Sequence, residues 1–140
     1  MAVATTAARP PLGATARPVR RRALVIAAGV AAGALIWALA VPVFGVQLLV
    51  RFGAGTQQTV SVAFVLAGSL IAPLLGWALL SFLERRTNRA RALWTRVAVV
   101  SLLMTFALPL AAGVTTSARV TLLLMHVAVG TVVIVGLRRT

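Results

Sequence analysis

Long apolar blocks alternate with short polar segments along the chain, and this alternation predicts its elements. The apolar blocks cover residues of about 23–44, 59–83, 97–112 and 120–137. Each is close to the roughly 20 residues with which a helix crosses a ~30 Å hydrocarbon layer. The third block is short, so it would cross nearly upright or recruit residues from its flanks. We therefore predict an all-α fold, a four-helix transmembrane bundle over residues 23–140.

The segments that flank the apolar blocks differ in character. Residues 1–22 hold three prolines and five arginines without apolar periodicity, which predicts a disordered tail. The first connection, GVQLLVRFGAGTQQ, ends in Gly and Gln residues typical of a loop. The second, ERRTNRARALWTR, is a strong polar break, and GVTTSAR turns the chain between the last two blocks.

Positive charge is distributed very unevenly about these blocks. The net charge is +13, and all 14 cations are arginines. Five arginines lie in the tail, five in the second connection and two at the C-terminus, whereas only Arg51 and Arg119 lie on the other side. The positive-inside rule therefore places both termini in the cytoplasm. We expect a multi-pass membrane protein.

The basic segments are expected to contact lipid and not nucleic acid. The arginines lie at the ends of apolar blocks, and no aromatic residues interleave with them as a base-stacking surface would require. The second connection instead resembles an interfacial anchor on anionic headgroups. Its candidate headgroup-facing residues are Arg85, Arg86, Arg89, Arg91, Trp94 and Arg96.

The first apolar block has a second interpretation. Its basic start, apolar middle and Ala38-Leu39-Ala40 sequence are also features of a cleavable signal peptide. The apolar run continues to Phe44 and the basic leader is long, which favours a retained span. Cleavage would leave the order of the remaining helices unchanged.

Small residues recur at helical spacing and are candidates for helix packing. In lipid, helices associate through close contacts between small residues, and GxxxG is typical of such faces. The candidates are Gly29 and Gly33 in the first block, and Gly68, Ala72 and Gly76 in the second. Helices rich in alanine and glycine also produce this spacing by chance, so both interpretations stay open.

His126, the only histidine, is the principal candidate for chemistry within a span. Counted from Arg119 it lies about 10 Å below the outer boundary, a depth at which ionisable groups are functional candidates. Trp37 lies at similar depth, with Thr105 and Ser69 within about a turn. The imidazole is either a packed residue hydrogen-bonded to one of these, or a binding or proton-handling group in a polar site of His126, Trp37, Thr105 and Arg119.

Few other side chains could support catalysis. Glu84 is the only acidic residue and follows the second block. It is either a proton or cation site or, as we favour, an interfacial group neutralised by Arg85, Arg86 or an arginine of the loop. It lies about 20 Å from His126 by helical rise, and the chain has no Asp, Lys, Tyr or Cys. We therefore expect no catalytic residue, metal or cofactor, although a symmetric dimer could offer two histidines to a haem.

The chain resembles a family of small four-span actinobacterial membrane proteins that is classed as a domain of unknown function. The resemblance covers about residues 23–139. It is carried by the sequence Glu84-Arg85-Arg86-Thr87, by Trp94, by the threonine-rich outer turn and by LMH at residues 124–126. It implies the four-helix topology and the bacterial inner membrane, and it implies no activity.

Three functions are consistent with these features. The first is a non-enzymatic membrane component that packs with itself or with a larger partner, which the small-residue stripes and the scarcity of reactive groups favour. The second is a dimeric transporter of small solutes or drugs, in which His126 would replace the usual buried carboxylate. The third is a cofactor-independent membrane oxygenase that uses His126, Trp37 and Arg119.

Overall fold

Four long apolar helices pack as a bundle, so the predicted all-α fold is confirmed. The computed structural model describes residues 16–140, and its account of side chains begins at residue 18. The helices are α1 (Ala16–Ala38), continued by a π-helical turn (Leu39–Val43), α2 (Val62–Glu84), α3 (Ala90–Thr105), α4 (Ala107–Ala112) and α5 (Thr116–Arg138). The spans long and apolar enough to cross a membrane are Pro18–Val43, Val62–Glu84, Ala90–Ala112 and Thr116–Arg138.

The four spans form a closed ring. The first span packs against α2 and α5, and α3 packs against the same two helices on the other side. Because consecutive spans run in opposite directions, the start of α1, the α2–α3 turn and the end of α5 lie together at one end of the bundle, here called the arginine end. The opposite end is called the hairpin end. A 23-residue helix is about 34 Å long, slightly more than the ~30 Å hydrocarbon layer.

The first helix begins earlier than the sequence pattern predicts. Residues 16–22 belong to α1, so their assignment to a disordered tail is wrong. Pro18 is tolerated because it lies in the first turn, where backbone N–H groups have no partner within the helix. Arg22 is also held in place by contacts with α2. The rest of the predicted tail, residues 1–15, lies outside the described residues.

The third span is longer than predicted and is interrupted. It begins at Ala90 instead of about residue 97, and therefore recruits residues from the arginine-rich connection. It breaks at Phe106, between α3 and α4. Pro109 explains the break, because it has no N–H to donate to the carbonyl of Thr105 and its ring crowds that carbonyl. Pro73 lies within α2 without ending it.

A small β-hairpin caps the bundle where the sequence predicts an irregular connection. Strands β1 (Leu49–Val50) and β2 (Gln58–Thr59) pair antiparallel, and the turn after α4 joins them through a bridge between Val50 and Gly113. Leu48, Val50 and Val60 are buried in the core at this end of the bundle. These three side chains, on and beside the hairpin strands, therefore fill the space between the helix ends.

Candidate functional site

His126 is hydrogen-bonded within its own helix. Its Nδ1 lies 2.8 Å from the carbonyl oxygen of Leu122, one turn earlier in α5. Because a carbonyl only accepts, Nδ1 is the donor of this bond. None of Trp37, Ser69 and Thr105 supplies the bond that the sequence analysis expected from them. Within residues 16–140, the imidazole therefore forms no hydrogen bond between helices.

The other members of the predicted polar site are also bonded to backbone and not to one another. Trp37 Nε1 donates to the carbonyl of Val60 at 3.2 Å, and Thr105 Oγ1 donates to Leu102 at 2.8 Å. Arg119 Nε donates to the carbonyl of Gly113 at 2.8 Å, where it braces the turn before α5.

One groove opens between α1 and α2, and another lies at the α2–α3 turn. Neither is lined by His126. Among the described residues, no hydrogen bond links the four predicted side chains to one another.

A polar cluster that the sequence analysis missed lies at the arginine end. Arg22 of α1 is only 8% exposed, and its Nη2 donates to Glu84 Oε1 at 2.7 Å. Its Nη1 donates to Ser81 at 3.3 Å and its Nε to Thr140 at 3.2 Å. These four residues, here called the arginine clasp, join the start of α1, the end of α2 and the segment after α5.

The partner of Glu84 is therefore Arg22, and the expectation of Arg85, Arg86 or an arginine of the loop is wrong. The reason is geometric. Neighbouring antiparallel helices bring the start of α1 beside the end of α2, whereas Arg85 and Arg86 follow Glu84 directly and point away around the helix. Because the first two spans are antiparallel, the sequence could have predicted that Arg22 and Glu84 lie at the same end of the bundle.

Trp94 lies inside the bundle, so its interpretation as a headgroup-facing residue is wrong. The side chain is 1% exposed and packs with Leu80, Val133 and Leu137. Its Nε1 donates to the carbonyl of Gly76 at 2.7 Å, which ties α3 to α2. The sequence places it among arginines, but α3 has already begun at Ala90, and the helical register turns the indole inward.

The predicted small-residue faces divide into two groups. A Cβ on Gly29 or Gly33 would lie 3.2–3.3 Å from valine side chains of α5, so both glycines lie at a tight helix contact. Gly76 faces Trp94. Gly68 and Ala72 are exposed, and a Cβ on Gly68 would meet nothing within 4 Å. These last two residues form no packing face within the described chain.

Two further glycines make the closest helix contacts and were not singled out by spacing. A Cβ on Gly130 would lie 2.6 Å from Leu102 of α3, and one on Gly136 would overlap Val25 of α1. Both lie in α5, the helix that packs against the first and third spans. They are six residues apart and so do not form a GxxxG pattern.

Exposed arginines surround the clasp at the same end of the bundle. Those in the described residues are Arg20, Arg21, Arg85, Arg86, Arg89, Arg91, Arg96, Arg138 and Arg139. The guanidinium of Arg86 lies 5.4 Å from the ring centroid of Phe82, a cation–π contact. At the hairpin end the exposed cations are Arg51 and Arg119. The structure thus gathers positive charge on one face of the molecule.

Comparison with known proteins gives a family but no activity. The model of a family of unknown function, DUF6069, matches residues 13–140. No curated protein and no solved structure matches the chain. The matched region includes all four spans, the hairpin and the arginine clasp. The chain is therefore a four-span member of the DUF6069 family of unknown function.

Proposed function

We propose that this protein is a non-enzymatic accessory component of a bacterial inner membrane. In this proposal both termini lie in the cytoplasm, the arginine end contacts anionic headgroups, and the bundle packs with itself or with a larger membrane partner. The proposal concerns a structural and interacting role, and it assigns no catalytic residue.

The observation that carries the proposal is the state of the two side chains best suited to acid–base work. Glu84 is ion-paired with Arg22, and His126 donates to its own helix. A general acid or base needs to reach the proton that it transfers, usually with a second group to orient it. Glu84 instead ties the end of α2 to α1, and His126 supports the local structure of α5.

The positive face supports the proposed orientation and lipid contact. Arginines close to an anionic leaflet each contribute about 1 kcal/mol of attraction. The exposed arginines of the arginine end are grouped within two helical turns of the ends of α1, α2, α3 and α5 or in the α2–α3 turn. A cytoplasmic location of this end satisfies the positive-inside rule.

The outer face of α2 supports association with a second protein. Gly68 and Ala72 are exposed beside Leu75 and Leu79, which are also exposed. Small residues allow close approach of another helix, which is the main source of helix association in lipid. Gly76, one step further along the stripe, already contacts Trp94 and so marks where this face turns into the bundle.

Disulfide crosslinking tests the association directly, because the natural chain has no cysteine. We compare Ala72→Cys on the α2 face with Val100→Cys, an exposed residue near the middle of the third span. The proposal predicts a crosslinked dimer, or an adduct with a larger membrane protein, for Ala72→Cys in native membranes. Only monomers from both variants, with a monomer alone in native mass spectra from lipid nanodiscs, would contradict it.

A further inference from the structure

An apolar groove runs along the outside of the bundle between α1 and α2. It has a volume of about 490 Å³. Its α1 side includes Ala23, Ala27 and Ala31, and its α2 side includes Leu70, Leu74 and Trp77. The three alanines are four residues apart and exposed, so they form one stripe of methyl groups between larger side chains.

The groove has the length and position of a lipid acyl chain. From Ala23 to Ala31 the helix rises about 12 Å, compared with the ~15 Å of one leaflet of a ~30 Å hydrocarbon layer. It begins just below the arginine end, so it occupies the half of the membrane that adjoins the exposed arginines. A concave apolar channel of this size can hold most of one chain.

A cation lies at the mouth of the groove. Arg20 is exposed, and it is three residues from Ala23 and seven from Ala27, which places it on the groove side of α1 about 4.5 Å beyond Ala23. Arg21 is also exposed but lies about 100° further around the helix. The nearby carboxylate of Glu84 is paired with Arg22 and therefore does not neutralise Arg20.

The charge at the mouth also disfavours a second copy of the chain in this groove. Copies in one membrane share the same orientation, and a two-fold contact uses the same patch on both subunits. Such a pair would bring the two Arg20 side chains together at the same depth, where like charges repel. A phosphate group is complementary to the same position.

We propose that the groove binds one anionic diacyl phospholipid, with an acyl chain along Ala23, Ala27 and Ala31 and its phosphate at Arg20. The inference deepens the proposed function and rests on the lipid contact of the arginine end. The proposed function requires only a general attraction of the arginines to the leaflet. The inference adds one specific site, in which the positions of the headgroup and of one acyl chain are defined.

Native mass spectrometry of the purified full chain with added dioleoyl phosphatidylglycerol tests the site, with phosphatidylcholine of the same chains as the comparison lipid. Ala27→Leu fills the groove, and Ala28→Leu is its control, because Ala28 is exposed on another face of α1. Arg20→Gln removes the cation, and Arg21→Gln is the matched control. We expect the wild type and both controls to retain one phosphatidylglycerol, and Ala27→Leu and Arg20→Gln to bind it about tenfold more weakly.

The assignment of the groove as the lipid site would be overturned if Ala27→Leu and Ala28→Leu retained the lipid equally. Thermal unfolding shows whether both variants are folded. Ala31→Leu is the second groove-filling variant if Ala27→Leu does not fold. A dimer that Ala27→Leu alone dissociates would also overturn it, because the groove would then hold a second copy. If the wild type retained phosphatidylglycerol no better than phosphatidylcholine, the proposed contact of the arginine end with anionic lipid would also be contradicted. If all variants retained phosphatidylglycerol equally, only the proposed site in the groove would be contradicted.

Discussion

At the scale of single residues, five polar side chains inside the spans fall into two groups according to their hydrogen bonds. Ser69, Thr105 and His126 bond to carbonyls three or four residues earlier in their own helices. Trp37 and Trp94 donate to carbonyls of a different segment. In a medium without water, both arrangements avoid an unsatisfied polar group, but only the second ties one element to another.

This division predicts a small effect of removing the histidine. His126→Leu has a similar volume and deletes a bond that lies within one helix, so we expect the free energy of unfolding to change by less than about 1 kcal/mol. Trp94→Leu deletes a buried indole and its bond to Gly76, so we expect a loss of about 3 kcal/mol. Unfolding by SDS titration in mixed micelles measures both, and a loss above about 2 kcal/mol for His126→Leu would contradict the assignment.

The arginine clasp predicts a larger cost for a single charge removal. Glu84→Gln would leave the buried Arg22 guanidinium with only uncharged acceptors, and we expect a loss of about 1–3 kcal/mol. This is below the cost for a fully buried pair because the Glu84 side chain is 32% exposed. Arg21→Gln removes an exposed charge and is the control. An equal effect of the two substitutions in the same unfolding assay would show that the clasp does not stabilise the bundle.

At the scale of elements, glycines determine how closely the helices approach. Gly29 and Gly33 of α1 and Gly130 and Gly136 of α5 all face side chains of neighbouring helices. The absence of a side chain brings backbones together and increases van der Waals contact, which in lipid replaces the hydrophobic effect as the source of packing energy. Gly68 on the outer face of α2 has no such neighbour in the described chain.

Two Gly→Ala substitutions separate packing from helix propensity. Gly136→Ala would overlap Val25, a β-branched residue with little freedom to move, so we expect a loss of about 1–2 kcal/mol in spite of the better helix propensity of alanine. For Gly68→Ala we expect a change within about 0.5 kcal/mol in the monomer. Thermal unfolding in detergent compares them, and a Gly136→Ala variant as stable as the wild type would contradict the packing described for α5.

The sequence predicts the elements better than their contacts. Block length and hydropathy locate the four spans, because the ~30 Å apolar layer sets a minimum length. The early starts of α1 and α3 are missed because arginine is a good helix former, whereas a hydropathy pattern counts it as the boundary of a span. The direction of a side chain around its helix, as for Trp94 and Ala72, depends on which neighbours are present. The hairpin is missed because its strands have two residues each, too few for a visible alternation.

At the scale of the whole molecule, the two ends differ in charge and in structure. The arginine end carries the clasp and the exposed arginines, and its α2–α3 turn is short and polar. The hairpin end is closed by Leu48, Val50 and Val60, and Phe44 and Phe52 are exposed there. This polarity underlies the proposed orientation.

Single cysteines test the orientation with a membrane-impermeant maleimide. Gln57→Cys lies between the hairpin strands and Asn88→Cys in the α2–α3 turn, and both positions are exposed. We expect the maleimide to label Gln57→Cys in intact spheroplasts. We expect it to label Asn88→Cys only after permeabilisation, because the positive-inside rule predicts that the arginine-rich turn stays in the cytoplasm. The reverse pattern would contradict the proposed topology, and labelling of both would indicate a mixed population.

The arginine clasp also constrains the order of events during biosynthesis. Arg22 is separated from Ser81 and Glu84 by 59 and 62 residues and from Thr140 by 118. During translation its guanidinium can therefore reach Ser81 and Glu84 only after α2 has inserted, and its bond to Thr140 must wait for α5. Closure of the clasp is thus completed by the late docking of α5 on α1, and a nascent chain arrested before α5 would lack the bond to Thr140.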